Sequence, residues 1–164
     1  MYGKTKKEIP SDPKEAFESA LNTARWIIAY ADNNKKKLSD KLKSRGYSDD
    51  TVEYVIMKLS EEGLIDEERM ASALVSNLVG YKCFGRKRVV FELKKEGYGS
   101  DVIESDRVQT VLDDSDYSGA CLRLLRKTGG EKNQKNYAKL INAGHTPSDI
   151  RKAYEALAEE SEED

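Results

Sequence analysis

Three turns of one pattern constrain this chain more than any other feature: Leu42-x-x-x-Gly46-Tyr47, Leu93-x-x-x-Gly97-Tyr98 and Leu140-x-x-x-Gly144-His145, 51 and 47 residues apart. Glycine takes a positive φ cheaply, so a helix ends on it, and the aromatic residue after it folds back. Each turn leads into a further run of apolar residues. A period of about 50 residues has room for three short helices, and such recurrence is the mark of tandem repeats. The expected fold is therefore all-α, three tandem three-helix repeats forming an elongated, curved array. Residues 1–12 are expected to be a flexible segment, 13–65, 66–114 and 115–158 the three repeats, and 159–164 an acidic tail that frays.

Composition agrees with that reading. Of 164 residues, 35% are charged and only 38% hydrophobic, which suits a shape with much surface per residue better than one large core. Three prolines and eleven glycines leave long helices possible, and few segments alternate as a half-buried strand would.

Local signals place the helices. Asp12-Pro13-Lys14-Glu15 carries a capping residue, a proline at the first helical position and an acid in the first turn. The first helix then shows Phe17, Leu21, Ala24 and Ile28 on one face and is expected to end near Asp32-Asn33-Asn34. A short helix bearing Leu38 and Leu42 stops at Gly46. After Ser48, Val52, Val55, Ile56 and Leu59 recur at i, i+3, i+4, i+7, and Gly63 closes that helix. Asp66 caps the next, with Met70, Leu74 and Leu78 inward. Helices are expected over 86–96, 117–126 and 133–142, and Thr146-Pro147-Ser148-Asp149 starts a last one bearing Ile150, Ala153, Tyr154 and Leu157. In the middle unit the apolar face returns late, at Val108, Val111 and Leu112, so 101–107 reads as a longer turn or an extended helix start.

Catalysis finds little support. His145 is the only histidine and stands where the other turns have Tyr47 and Tyr98, so it reads as a packing residue. Cys83 and Cys121 are far apart and read as reduced, buried or half-buried thiols. No zinc site or Cys–His pair can be assembled from these residues, and no Gly-Lys-Ser/Thr follows Gly129-Gly130 as a phosphate loop requires. No cofactor or metal is expected. No apolar run is long enough to span a membrane and 1–10 lacks a secretory signal, so a cytoplasmic protein is expected.

The net charge of −2 excludes a bulk polycation, and any nucleic-acid contact needs a local basic patch. Two patches exist. Lys82, Arg86, Lys87, Arg88, Lys94 and Lys95 lie within fourteen residues, opposed only by Glu92. Lys35, Lys36, Lys37, Lys41, Lys43 and Arg45 decorate the equivalent short helix of the first unit. Arg88 aligns with Lys95, and Lys87 with Lys94 in an adjacent stripe. Such repetition would line a concave surface with cations suited to phosphate or to an acidic protein surface, although a solvated lysine face would read the same way. Trp26, beside Ile27 and Ile28, is expected to pack in the core or between units and not to stack on bases.

The second unit carries a family resemblance. Gly63-Leu64-Ile65-Asp66-Glu67-Glu68-Arg69-Met70-Ala71 resembles the RecX signature of Gly, two apolar residues, two acids, any residue, Arg, Phe and Ala. Gly85-Arg86-Lys87-Arg88 followed by Glu92-Leu93 and Gly97 is similar to that family's basic helix, and Lys41-Leu42-x-x-Arg45-Gly46 to its Lys-Leu-x-x-Lys/Arg-Gly. Met70 replaces the usual Phe, Glu96 the usual Lys, and Asp32-Asn33-Asn34 then Lys37-Leu38 stand where the family has Arg-x-x-Ser before Glu-Leu. The resemblance covers about residues 16–157. It implies a regulator of RecA in DNA repair, homologous recombination and the SOS response. Such a protein binds the RecA filament on single-stranded DNA along its groove and inhibits ATP hydrolysis and strand exchange. It is expected to be a monomer without enzymatic activity, with a possible weak direct contact to DNA. The partner or DNA contacts expected are Lys41, Lys43, Arg45, Arg69, Lys82, Arg86, Lys87, Arg88, Lys94 and Lys95. A helix-turn-helix-like DNA-binding module and a general protein-interaction adaptor are the alternatives. The first would bind naked DNA with a steep salt dependence, and the second would affect neither DNA nor RecA.

Overall fold

All three recurrent turns are left-handed at their glycine: φ is 96° at Gly46, 100° at Gly97 and 90° at Gly144. In each, the backbone N–H after the glycine donates to the carbonyl five residues back: Tyr47 to Leu42, Tyr98 to Leu93, His145 to Leu140. This closes the helix end by satisfying an orphan carbonyl. The computed structural model describes residues 8–162. These hold ten helices: α1 (Pro13–Tyr30), α2 (Lys35–Lys43), α3 (Asp49–Glu61), α4 (Glu67–Gly80), α5 (Arg86–Glu96), α6 (Ser100–Ile103), α7 (Asp106–Asp114), α8 (Tyr117–Lys127), α9 (Gln134–Asn142) and α10 (Pro147–Glu162). The chain is all-helical, and its backbone divides into two units, one up to Met70 and one from Ala71.

In the first unit α1, α2 and α3 pack on one another around Ala20, Ala24, Leu38, Leu42, Val55 and Leu59, all fully buried. The turn aromatic Tyr47 is buried, and its hydroxyl shares hydrogen bonds with Ser19 (2.9 Å) and Thr23 (3.1 Å) of α1. Asp12 caps α1 as expected, accepting from the backbone of Lys14 and Glu15. Asn34 caps α2 through the Lys37 N–H, so it serves where the resemblance has serine. Each such cap is worth about 1 kcal/mol.

In the second unit the buried core of α4 to α7 includes Val75, Val89, Leu93, Val102, Val108 and Leu112. A second cluster joins Cys121, Leu125, Leu140, Ile150 and Ala153 of α8, α9 and α10. Thr146 and Asp149 cap α10 reciprocally, each side chain accepting the other's backbone N–H, the capping box read from the sequence.

Three expectations need correction. Trp26 is not packed in a core: it is 66% exposed and stacks on Tyr30, itself 77% exposed, at 5.1 Å. Positions 20, 24 and 28 define the inward side of α1, and position 26 falls on the far side. Segment 101–107 is neither a long turn nor one extended start. It holds the end of α6, a break at Glu104-Ser105 and a new cap by Ser105, with Val102 and Ile103 buried. The tail expected to fray is helical through Glu162. Residues 163–164 of that tail, and 1–7 of the expected flexible segment, lie outside the described residues. Ile9 and Pro10 are half-buried.

The closest backbone approach involves two glycines. A Cβ built on Gly85 would lie 2.3 Å from the Gly144 carbonyl, and one on Gly144 would lie 2.4 Å from the Arg88 nitrogen. Gly85 N–H donates to the Ala143 carbonyl at 2.8 Å. Gly144→Ala combines left-handed strain with a backbone clash, and a loss of about 3 kcal/mol or more is expected. Gly129→Ala, at φ 93° with open space around it, should cost only about 1 kcal/mol. Urea denaturation of both variants checks the difference.

Candidate partner-binding surface

Helix α5 carries five cations in its eleven residues, and its position follows from the glycine contact. Its N-cap, Gly85, has no side chain to cap with. The segment before it is fixed instead by the turn between α9 and α10. Cys83 is left-handed (φ 58°), and its carbonyl receives the Nε2–H of His145 at 2.8 Å. His145 is 2% exposed, and its Nδ1 has no hydrogen-bond partner. Burial lowers its pKa below the ordinary 6.5, against the opposing pull of the Cys83 carbonyl and Asp149. The ring is therefore a neutral packing and donor group. Burial also works to raise Asp149, but hydrogen bonds from Thr146 outweigh it and hold the carboxyl below its usual range. Cys121 is pushed up to about 12 by burial, and it remains a neutral core thiol.

The helix turns Val89 and Leu93 inward, which sends Lys87, Phe91, Lys94 and Lys95 to the exposed side. The expected contact residues differ in how free their charge is. Arg86 donates to Asp113 (2.6 Å) and Gln109 (3.2 Å). Arg88 is paired with Glu92 (2.7 Å), and its guanidinium lies 5.4 Å from the Phe84 ring and 5.3 Å from the Phe91 ring. Lys95 reaches the same Glu92 at 3.7 Å. Lys82, Lys87 and Lys94 are exposed and, among the described residues, carry no ion pair.

In the first unit the expected cations are more committed. Lys43 pairs with Asp49 (3.0 Å), Arg69 with Asp32 (3.2 Å), Lys35 with Glu67 (4.0 Å) and Lys36 with Asp40 (3.3 Å). Lys41 donates to the Asn33 side chain and Arg45 to the Lys41 carbonyl (2.8 Å). Exposed pairs of this kind contribute about 0–1 kcal/mol each, but they reduce the net potential that α2 presents. Trp26 and Tyr30 follow Arg25, which is itself paired with Glu62 (3.0 Å).

Sequence reading named the cations of α5 and missed Phe91, 56% exposed among them. The signal was available: position 91 falls opposite Val89 and Leu93, so an aromatic residue there faces solvent. Among the described residues, no cluster of three His, Cys, Asp or Glu side chains could hold a metal ion. None of the helices is long and apolar enough to cross a membrane.

No family model matches the chain. Its similarity to individual proteins is extensive. It is 25% identical over 154 residues to the regulatory protein RecX of Chlorobium phaeobacteroides (strain BS1), covering 90% of this chain and 96% of that protein. To the RecX of Halorhodospira halophila (strain DSM 244 / SL1) it is 31% identical over 106 residues, 65% of this chain and 62% of that one. The crystal structure of RecX from Lactobacillus salivarius superposes with a TM-score of 0.70 at 18% identity, over 87% of this chain and 96% of that chain. The chain is thus similar to RecX proteins along nearly its whole length and shares their fold. The resemblance carried by Gly63–Ala71 and Gly85–Gly97 falls on helix caps and packing positions of that fold.

The buried imidazole makes a measurable prediction. An unfolded chain takes up a proton at His145 near pH 6.5, whereas the folded chain resists it. Stability is therefore complete above about pH 6.5 and is lost as pH falls toward the lowered folded-state value. A decline in melting temperature between about pH 7 and pH 5 is expected. It should be flattened in His145→Gln, which starts from a lower stability because the replacement fits the site less well. Asp149, whose carboxyl is held below its usual range, titrates below this window.

Proposed function

We propose that this chain restrains RecA by binding its filament on single-stranded DNA through the solvent side of α5. By doing so it inhibits ATP hydrolysis and strand exchange. The observation that carries the reading is a set of exposed cations, Lys82 just before α5 and Lys87 and Lys94 on it, that carry no ion pair among the described residues, around a helix that the RecX resemblance already marked. These three form the principal contact, with Lys95 beside them. Arg86 and Arg88 hold the surface in shape through Asp113, Glu92 and the two phenylalanines. Lys41, Lys43, Arg45 and Arg69 make a weaker secondary contact, because most of their charge is already met by neighbours.

The protein acts by association and not by catalysis, as a monomer in the cytoplasm. Exposed lysines of one sign accelerate encounter with a polyanionic assembly and weaken with added salt. Unpaired ones do so without first breaking an internal pair. That asymmetry separates two variants in a RecA ATPase assay on single-stranded DNA. Lys87→Glu combined with Lys94→Glu should raise the half-inhibitory concentration about tenfold or more, a cost of about 1.4 kcal/mol. Lys36→Glu combined with Lys43→Glu should change it much less. If the α5 variant inhibits like the unmodified protein, the reading is wrong.

A further inference from the structure

On α5, every helical neighbour of Phe91 is a cation. Residues three and four positions away share a helix face, and those of Phe91 are Lys87, Arg88, Lys94 and Lys95. Val89 and Leu93 point into the core, so Phe91 stands at the centre of the outward side with more than half its surface open. A lone phenylalanine in water gains nothing by exposure, and this one is held in place. The Arg88 guanidinium lies 5.3 Å from its ring and is fixed in turn by Glu92 and Phe84. The ring is thus oriented before any partner arrives.

We infer that Phe91 is a stacking platform for an unpaired base and that Lys87 and Lys94 flank it as phosphate contacts, so that α5 selects single-stranded over duplex DNA. An aromatic ring within a cationic stripe is the arrangement that binds single strands: the ring meets a base face and the cations track the backbone. Lys87 and Lys94 are seven residues apart, about 10 Å along the helix, the rise of about three stacked nucleotides. A duplex keeps its base faces covered and offers Phe91 nothing to stack on. The acid beside it in sequence, Glu92, is paired with Arg88 and Lys95 and its side chain is only 14% exposed, which limits its repulsion of phosphate. The Trp26–Tyr30 stack lacks this setting, since the adjacent Arg25 is paired with Glu62. The inference deepens the proposed function and rests on it only for the choice of surface.

The test measures binding of the full chain to fluorescein-labelled oligothymidylate and to a duplex of equal length by anisotropy, across a range of salt, without RecA. Single strand should bind about tenfold more tightly than duplex. Phe91→Leu should remove most of that preference with the salt slope unchanged, and Phe91→Tyr should retain it. Lys87→Ala and Lys94→Ala should each reduce the slope by about 0.7. Because Phe91 is exposed, circular dichroism should show the variants folded. Equal binding of strand and duplex, or Phe91→Leu binding as the unmodified chain does, overturns the inference. So does effective competition by polyglutamate, which would mark a surface for acidic protein. Phe91-dependent strand binding without inhibition of the RecA ATPase would overturn the proposed function and leave this inference standing. Inhibition with Phe91-independent strand binding would do the reverse.

Discussion

The approach of Gly85 to Gly144 is the contact on which the candidate surface depends. Neither position has room for a Cβ, and around them two further bonds form, from Gly85 to the Ala143 carbonyl and from His145 to the Cys83 carbonyl. Together they dock the start of α5 on the turn between α9 and α10. Helix α5 has no side-chain cap of its own, so a tertiary contact does the work that a serine or aspartate does for α1, α3 and α7. The orientation of its outward cations then follows from burial of Val89 and Leu93 on the opposite side.

Charge alone would have made α2 and α5 equals, since both are rich in lysine. Pairing separates them. The cations of α2 mostly find Asp, Glu or Asn partners, whereas Lys82, Lys87 and Lys94 carry no ion pair among the described residues. The arginines of the α5 motif serve another purpose. Arg86 ties the helix to α7 through Gln109 and Asp113, and Arg88 lies near two aromatic rings, where its planar guanidinium suits stacking while two of its nitrogens reach one oxygen of Glu92. A basic motif in sequence therefore divides into residues that build the surface and residues that present charge.

Much of the fold was legible because its signals are local. Glycine followed by an aromatic marked three helix ends, and Asp12, Ser48, Asp66 and Thr146 marked starts through side chains that reach only two or three residues. The break at Glu104-Ser105 was hidden because Val102 and Ile103 serve a helix of one turn, too short to show a period. Trp26 was misplaced because adjacency to Ile27 and Ile28 was weighed over register: those two are half-buried, whereas Trp26 falls on the solvent side of α1. The pairing of individual cations could not be read at all, since Asp113 lies 27 residues from Arg86 and Asp32 lies 37 from Arg69. Phe91 was readable from its register against Leu93, but a basic run draws attention to charge and away from the one ring inside it.

The central claim is that α5, and not the similarly basic α2, makes the principal contact with the RecA filament. Lysine acetylation footprinting of the chain with and without RecA assembled on single-stranded DNA tests it most directly. The account expects Lys87 and Lys94 to lose most of their reactivity on filament addition while Lys36 and Lys43 keep most of theirs. Unchanged reactivity at Lys87 and Lys94, or protection confined to α2, would contradict it.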